Sequence, residues 1–299
     1  MKKIVFALDL VWLGGTEIAM LELFKKIYKD YELILAYKGG LRHNQDILDE
    51  FKKYAKVMDY RFNVFQSDTI VWCGIYFFWK CPERYLYAGK RIVWNHSVPF
   101  AKESSLLANK EFMDTIDTVV CVSEYCKEKL KECEASKKSK SIVIYNEIDH
   151  KAIIKKSKKF NVKNIDGLKI VTVSRLSPEK GLDKIRPIID YFKANNIKYT
   201  WVIIGEAYNK KYGEEIKELL GDDVVWMGRL YNPYPYMLWA DYVAMFSTRE
   251  SYGLVPDEAL ILGTPVLVSD IPAFKERLKD GVDGYLFDDK MERDPGCII

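Results

Sequence analysis

Two glutamates, Glu250 and Glu258, flank the stretch "ESYGLVPDE" with seven residues between them. A carboxylate accepts charge-assisted hydrogen bonds through both oxygens, so each acid can grip neighbouring hydroxyls on a ring. Gly253 and Leu254 lie between them, at a turn into a helix that Pro256 starts in its first turn. Glu258 is expected beside the backbone amides of that first turn, and Glu250 on the far side of the turn. Upstream, "VSRLSPEKG" places Arg175 at a strand end and Lys180 five residues later, where a helix is expected to open. Cations are disfavoured at a helix N-terminus unless an anion joins them, so this pair suits a diphosphate. "VWLGGTE" sets Gly14 and Gly15 between an apolar run and a helix, where the backbone can approach a ligand closely. His96 follows another apolar run and suits hydrogen bonding to a sugar hydroxyl, or acid–base work. Together these groups fit a ligand with hydroxylated rings on either side of a diphosphate.

These residues need elements to hold them. Short apolar runs alternate with amphipathic stretches: "KIVFALDL", "ELILAY", "TIVWC", "RIVWN", "TVVCVS" and "SIVIYNEID", then "KIVTVS", "YTWVIIG", "VVWMG", "YVAMFS" and "PVLVS". Strands that are apolar throughout, rather than alternating, belong to sheets covered on both faces. Strict alternation with helices predicts parallel sheets with right-handed crossovers, and ligands outside the carboxyl ends of the strands. Thr16 is read as the cap of the first helix and Ser123 as the cap of "SEYCKEKLKECEAS". The fold expected is α/β: two Rossmann-like, doubly wound domains facing a cleft. The lysine-rich, weakly periodic stretch 149–166 reads as a linker between domains 1–148 and 167–299.

At 299 residues the chain is long enough for two domains. Its 48% hydrophobic and 30% charged residues are ordinary for a globular protein. A net charge of +3 gives no case for nucleic acid as a partner. The six cysteines contain no C-x-x-C pair and there are three histidines, which favours free thiols over a disulfide frame or zinc site. Asp9 interrupts the first apolar run and no small-residue cleavage site follows it, so the start reads as a strand and not a signal peptide. No apolar run reaches about 18 residues, as a membrane-spanning helix needs. No G-x-G-x-x-G occurs, which argues against a nicotinamide cofactor. No D-x-D occurs, so no metal bridging the diphosphate is expected; the cations would take that role.

In order along the chain, "GGTE", "VSRLSPEKG", "ESYGLVPDEAL" and "GTPVLVSD" resemble family four of the retaining glycosyltransferases, often called group 1. The resemblance covers nearly all the second half and scattered points of the first. It implies the glycosyltransferase-B fold and transfer of a sugar from a nucleotide diphosphate to an acceptor hydroxyl, with a uridine diphosphate donor by family habit. By that likeness Arg175 and Lys180 would bind the donor diphosphate and Glu258 the ribose. Glu250 and His96 would face the donor sugar, and Gly253 and Leu254 would meet sugar or phosphate. Gly15, with Gly14, would approach the phosphate from the first domain. Gly228 and Leu230 would lie beside the base. The catalytic set is then His96, Glu250, Arg175 and Lys180, with no cofactor and no metal.

Two features depart from that pattern. "YNEID" has Glu147 where the family has a glycine, and no C-terminal crossover helices are expected after Phe287. The partners implied are a nucleotide sugar and a carbohydrate or lipid-linked acceptor. The protein would be cytoplasmic, and "YFFWK" with the lysine-rich stretches suggests peripheral contact at the inner membrane face. Two other functions fit the same residues: a non-catalytic nucleotide-sugar-binding or partner subunit, and a sugar-nucleotide epimerase.

Overall fold

The structure is a computed structural model; it describes residues 1–9, 11, 14–41, 43–73, 86–98, 106–207 and 209–299. Cys81 and the "YFFWK" segment lie outside the described residues. The chain divides into two compact units, Met1–Ile148 and Asp149–Ile299.

The first unit runs β1 (Lys2–Leu8), α1 (Gly15–Ile27), β2 (Tyr31–Tyr37), α2 (Gln45–Lys52), β3 (Lys56–Asp59), β4 (Phe65–Trp72), β5 (Leu86–Asn95), α3 (Lys110–Met113), β6 (Thr118–Cys121), α4 (Glu124–Glu132) and β7 (Ser141–Val143). Among the described residues its seven strands pair in parallel in the order β3-β2-β1-β4-β5-β6-β7. The aromatic rings of Phe6, Phe24 and Phe51 stack in series, with centroids 4.6 and 5.2 Å apart, and join β1 to α1 and α2. Ser123 caps α4, accepting from the Cys126 amide at 3.1 Å. The cap of α1 is Gly14 and not Thr16, which falls one residue inside the helix. Cys73, Cys121, Cys126 and Cys133 are buried free thiols; burial pushes Cys121 up to about 11 and raises Cys73 and Cys133 as well.

The second unit runs α5 (His150–Ser157), β8 (Leu168–Val173), α6 (Ile185–Ala194), β9 (Tyr199–Ile204), α7 (Lys210–Leu220), β10 (Val225–Gly228), α8 (Tyr234–Trp239), β11 (Tyr242–Met245), α9 (Leu254–Ile261), β12 (Val266–Ser269), α10 (Pro272–Lys275) and β13 (Gly284–Phe287). All six strands are parallel, in the order β10-β9-β8-β11-β12-β13. Side chains alternate between two cores. Ile170, Trp201, Ile203, Ala244 and Leu267 pack on one face, with α6 and α7; Val171, Val202, Ile204, Val243, Met245, Val266 and Val268 pack on the other, with α9 and Phe274 of α10. Buried strand positions are thus mostly apolar on both faces while the period stays two, as a doubly covered sheet imposes; buried Thr172 is an exception, its Oγ1 accepting from Trp201 Nε1 at 3.0 Å.

The stretch 149–166 is not a featureless linker. Asp149 caps α5 by accepting from the Ala152 amide at 2.9 Å, and α5 packs on α8 and α9 inside the second unit. The last residues also belong to this unit: Ile298 is buried in its core, and Arg293 bonds the Leu286 carbonyl at 2.6 Å. Among the described residues no helix is long and apolar enough to cross a membrane.

Candidate functional site

In each sheet the strand order reverses beside the first strand of the unit, at β1/β4 and at β8/β11. Loops leaving the carboxyl ends of such strands splay apart there and leave a crevice. The loops after β8 and β11 carry Arg175, Lys180 and Glu250.

The loop after β8 does not lead straight into a long helix. Pro178–Lys180 forms one 3-10 turn, Gly181 takes a left-handed conformation (φ 59°, ψ 38°), and a second 3-10 turn leads into α6. Only glycine fits at Gly181: a Cβ there would lie 2.1 Å from the Phe246 carbonyl oxygen. That close approach presses the β8 loop against the chain leaving β11. The Thr248 amide donates to the Glu179 carbonyl at 2.9 Å across the same seam.

This seam positions the charges. Lys180 Nζ donates to Glu250 Oε1 at 2.5 Å, and Ser247 Oγ donates to the same oxygen at 2.9 Å. Lys180 and Glu250 side chains are only 14% and 12% exposed. Arg175 is exposed; its Nη2 lies 3.4 Å from Glu179 Oε1, which also accepts from Ser177 Oγ at 2.7 Å. Arg175, Lys180 and Glu250 therefore gather on one rim, with Glu179 and Ser247 fixing their orientation.

Glu258 lies apart from this cluster. It sits in the second turn of α9, and the acid in the first turn is Asp257. Glu258 is therefore not the partner of the first-turn amides, contrary to the sequence expectation, because α9 begins at Leu254, two residues before Pro256. Its Oε1 accepts from Tyr234 OH at 3.0 Å, at the start of α8. Burial pushes its carboxyl up to about 7, against the smaller opposing effects of Tyr234 and Lys156. Gly253 caps α9 with φ 79°, and a Cβ there would meet Phe274 at 2.6 Å. Leu254 is the first residue of α9. Gly228 ends β10 with φ 64°, its carbonyl accepting from Gly205, and Leu230 packs against the adjacent core.

Three expected residues belong to the first unit. Gly14 caps α1 and exposed Gly15 opens it. Glu17, in the first turn of α1, is buried, so a carboxylate already faces the positive end of that helix. His96 follows β5 and is half-buried, its ring 4.4 Å from that of Trp94. Burial lowers its pKa to about 3, so the imidazole is neutral at physiological pH.

Sequence reasoning missed Tyr234 and Arg277. Arg277 Nη2 donates to the carbonyls of Tyr252 at 2.5 Å and Gly253 at 3.3 Å, Nη1 binds Asp257, and the guanidinium stacks 3.7 Å from the centre of the Tyr252 ring. It thereby holds the elbow that separates Glu250 from Glu258. It lies beyond β12 in sequence, and no local spacing ties it to that elbow.

Two parallel-sheet, Rossmann-like units make up the glycosyltransferase-B fold. Over 96% of its length this chain superimposes on 86% of Anabaena HepE, crystallised with UDP and glucose, at a TM-score of 0.73 and 18% identity. Residues 153–294, nearly all of the second unit, match the family model described as "Glycosyl transferases group 1". Among curated relatives, a 41.2 kDa protein of the cps region of Klebsiella pneumoniae is 31% identical over 50% of this chain and 42% of its own length. A glycosyltransferase of Methanocaldococcus jannaschii is 28% identical over 62% of this chain and 51% of its own. The chain thus spans about half the length of the curated relatives it matches.

Proposed function

We propose that this protein is a retaining glycosyltransferase that moves a sugar from a uridine diphosphate donor to an acceptor hydroxyl, in cell-surface polysaccharide or glycolipid synthesis. The observation that carries this reading is the Lys180–Glu250–Ser247 cluster beside Arg175 on one strand-end rim. The cps-region relative and the UDP-bound structural neighbour support the choice of substrates.

As the anomeric bond breaks, negative charge grows on the leaving diphosphate. Arg175 and Lys180 stabilise it where it develops. Glu250 is held by Lys180 and Ser247, so it orients a cation and meets sugar hydroxyls; a carboxylate engaged in this way is a poor covalent nucleophile. Attack then comes from the face the phosphate leaves, and a phosphate oxygen takes the acceptor proton. Glu258 binds the ribose and Gly228 and Leu230 flank the base. The amides of Gly253 and Leu254 meet sugar or phosphate. No metal ion enters this scheme: Arg175 and Lys180 supply the counter-charge by exchanging Glu179 and Glu250 for the diphosphate. The enzyme works on the cytoplasmic side, and an acceptor carried on lipid would bring it to a bilayer.

The test is a thermal-shift screen against UDP-sugars, followed by sugar transfer assayed with and without chelator. A ligand that binds only the folded state raises the melting temperature. The reading predicts a raised melting temperature with one UDP-sugar, transfer insensitive to chelator, and retained anomeric configuration by NMR. No shift with any nucleotide sugar would overturn it.

A further inference from the structure

Residues 150–165 contain six lysines and no acidic residue. Elsewhere lysines on helices pair within a turn, as Lys25 does with Glu22, Lys52 with Asp49 and Lys110 with Asp114. Along α5 no acid stands at i+3 or i+4 to do this. Ile153 and Ser157 are buried and face α8 and α9. Lys151, Ile154, Lys155 and Lys158 are exposed, and their spacing of three, four and seven residues lines one outward stripe. Lys159 and Phe160 continue it past the helix end; Phe160 is 46% exposed, with its ring 5.9 Å from Tyr236.

We propose that this outer face of α5 is the surface by which the protein docks on an anionic lipid bilayer. The argument is charge complementarity combined with apolar side chains. Concentrated positive charge without internal partners raises the free energy of the isolated surface, and an array of anionic headgroups relieves it. Each lysine near such a surface contributes independently, while Ile154 and Phe160 can enter the headgroup boundary, as on interfacial helices. A soluble acidic partner would meet the charge but leave those two side chains in water.

α5 itself also reaches the residues that hold Glu258. The Lys156 carbonyl accepts from Asn232 Nδ2 at 2.9 Å, and Lys156 Nζ lies 5.8 Å from the centre of the Tyr234 ring, whose hydroxyl holds Glu258. Docking through α5 would therefore hold the Tyr234–Glu258 pair one helix away from the headgroups. This deepens the reading of a lipid-linked acceptor given above, but its test uses neither donor nor acceptor, so the two can fail separately.

The experiment is co-sedimentation of the full chain with phosphatidylcholine vesicles, with and without roughly a third phosphatidylglycerol. Binding is expected only with the anionic lipid, and it should fall steeply by about 0.5 M salt. Lys151→Ala, Lys155→Ala and Lys158→Ala combined should lower partitioning by roughly 100-fold, given the contribution of each near-surface lysine. The three Lys→Arg replacements should preserve binding. Lys52→Ala with Lys53→Ala, in the first unit, should leave it unchanged. Equal binding by wild type and the triple alanine variant would overturn the proposal. So would binding to heparin or single-stranded DNA without binding to anionic vesicles.

Discussion

Lys180 Nζ and Glu250 Oε1 meet at 2.5 Å although 70 residues separate them in sequence, and both side chains are largely shielded from water. Removing one member of such a pair leaves an unmatched charge at low dielectric, a loss of about 3 kcal/mol. Lys180→Ala should therefore lower the urea midpoint of the second unit as well as nucleotide-sugar affinity. Lys180→Met combined with Glu250→Gln should recover most of the stability and none of the affinity. An unchanged midpoint in Lys180→Ala would show that water screens the pair.

Glu258 makes binding and stability respond to pH in opposite directions. Its ordinary value of 4.5 is raised to about 7 in the folded protein. The folded state therefore keeps this proton where the unfolded chain has released it. The stability it contributes is complete below about pH 4.5 and is lost as pH rises through about 7. Ribose binding needs the ionised form, so calorimetry should show UDP affinity rising over the same window. Tyr234→Phe removes a donor that favours ionisation and should move that midpoint upward; Glu258→Gln should abolish the dependence. His96, neutral above about 3, should add no limb to the rate profile near neutrality.

Arg277 tests whether the elbow positions the two glutamates. Arg277→Ala loses bonds to two carbonyls and to Asp257, together with the stack on Tyr252. Bonds from a charged donor to buried acceptors contribute roughly 1.5–3 kcal/mol each, so the melting temperature should fall clearly. KM for the donor should rise more than kcat falls. Gly253→Ala, strained by φ 79° and by contact with Phe274, should show the same split.

The alternation of apolar runs with helical stretches was enough to read the parallel sheets, because burial on both faces leaves few polar residues in the strands. β3 and β13 went unread although other strands are as short: β3 has no fully buried residue, and β13 is fully buried only at its two ends. The placement of Arg175, Lys180 and Glu250 on strand-end loops was legible in the sequence, but the pairing of Lys180 with Glu250 was not: it depends on Gly181 pressing one loop against Phe246. α5 was read as a linker because its lysines mask a single buried stripe, Ile153 and Ser157. Thr16 was read as a cap from residue type alone, whereas the bend that starts α1 falls at Gly14. Tyr234 and Arg277 act across the fold, and no short window of sequence contains both them and the residues they hold.

The buried thiols give the molecule an internal clock. Cys73, Cys121, Cys126 and Cys133 all lie in the first unit, while Cys297 of the second is partly accessible. An alkylating reagent consumes thiolate and must reach the sulfur, so slow modification at those four positions counts openings of the amino-terminal half alone. Timed labelling with mass spectrometry can thus follow how one half breathes, with or without substrate, and needs no engineered probe.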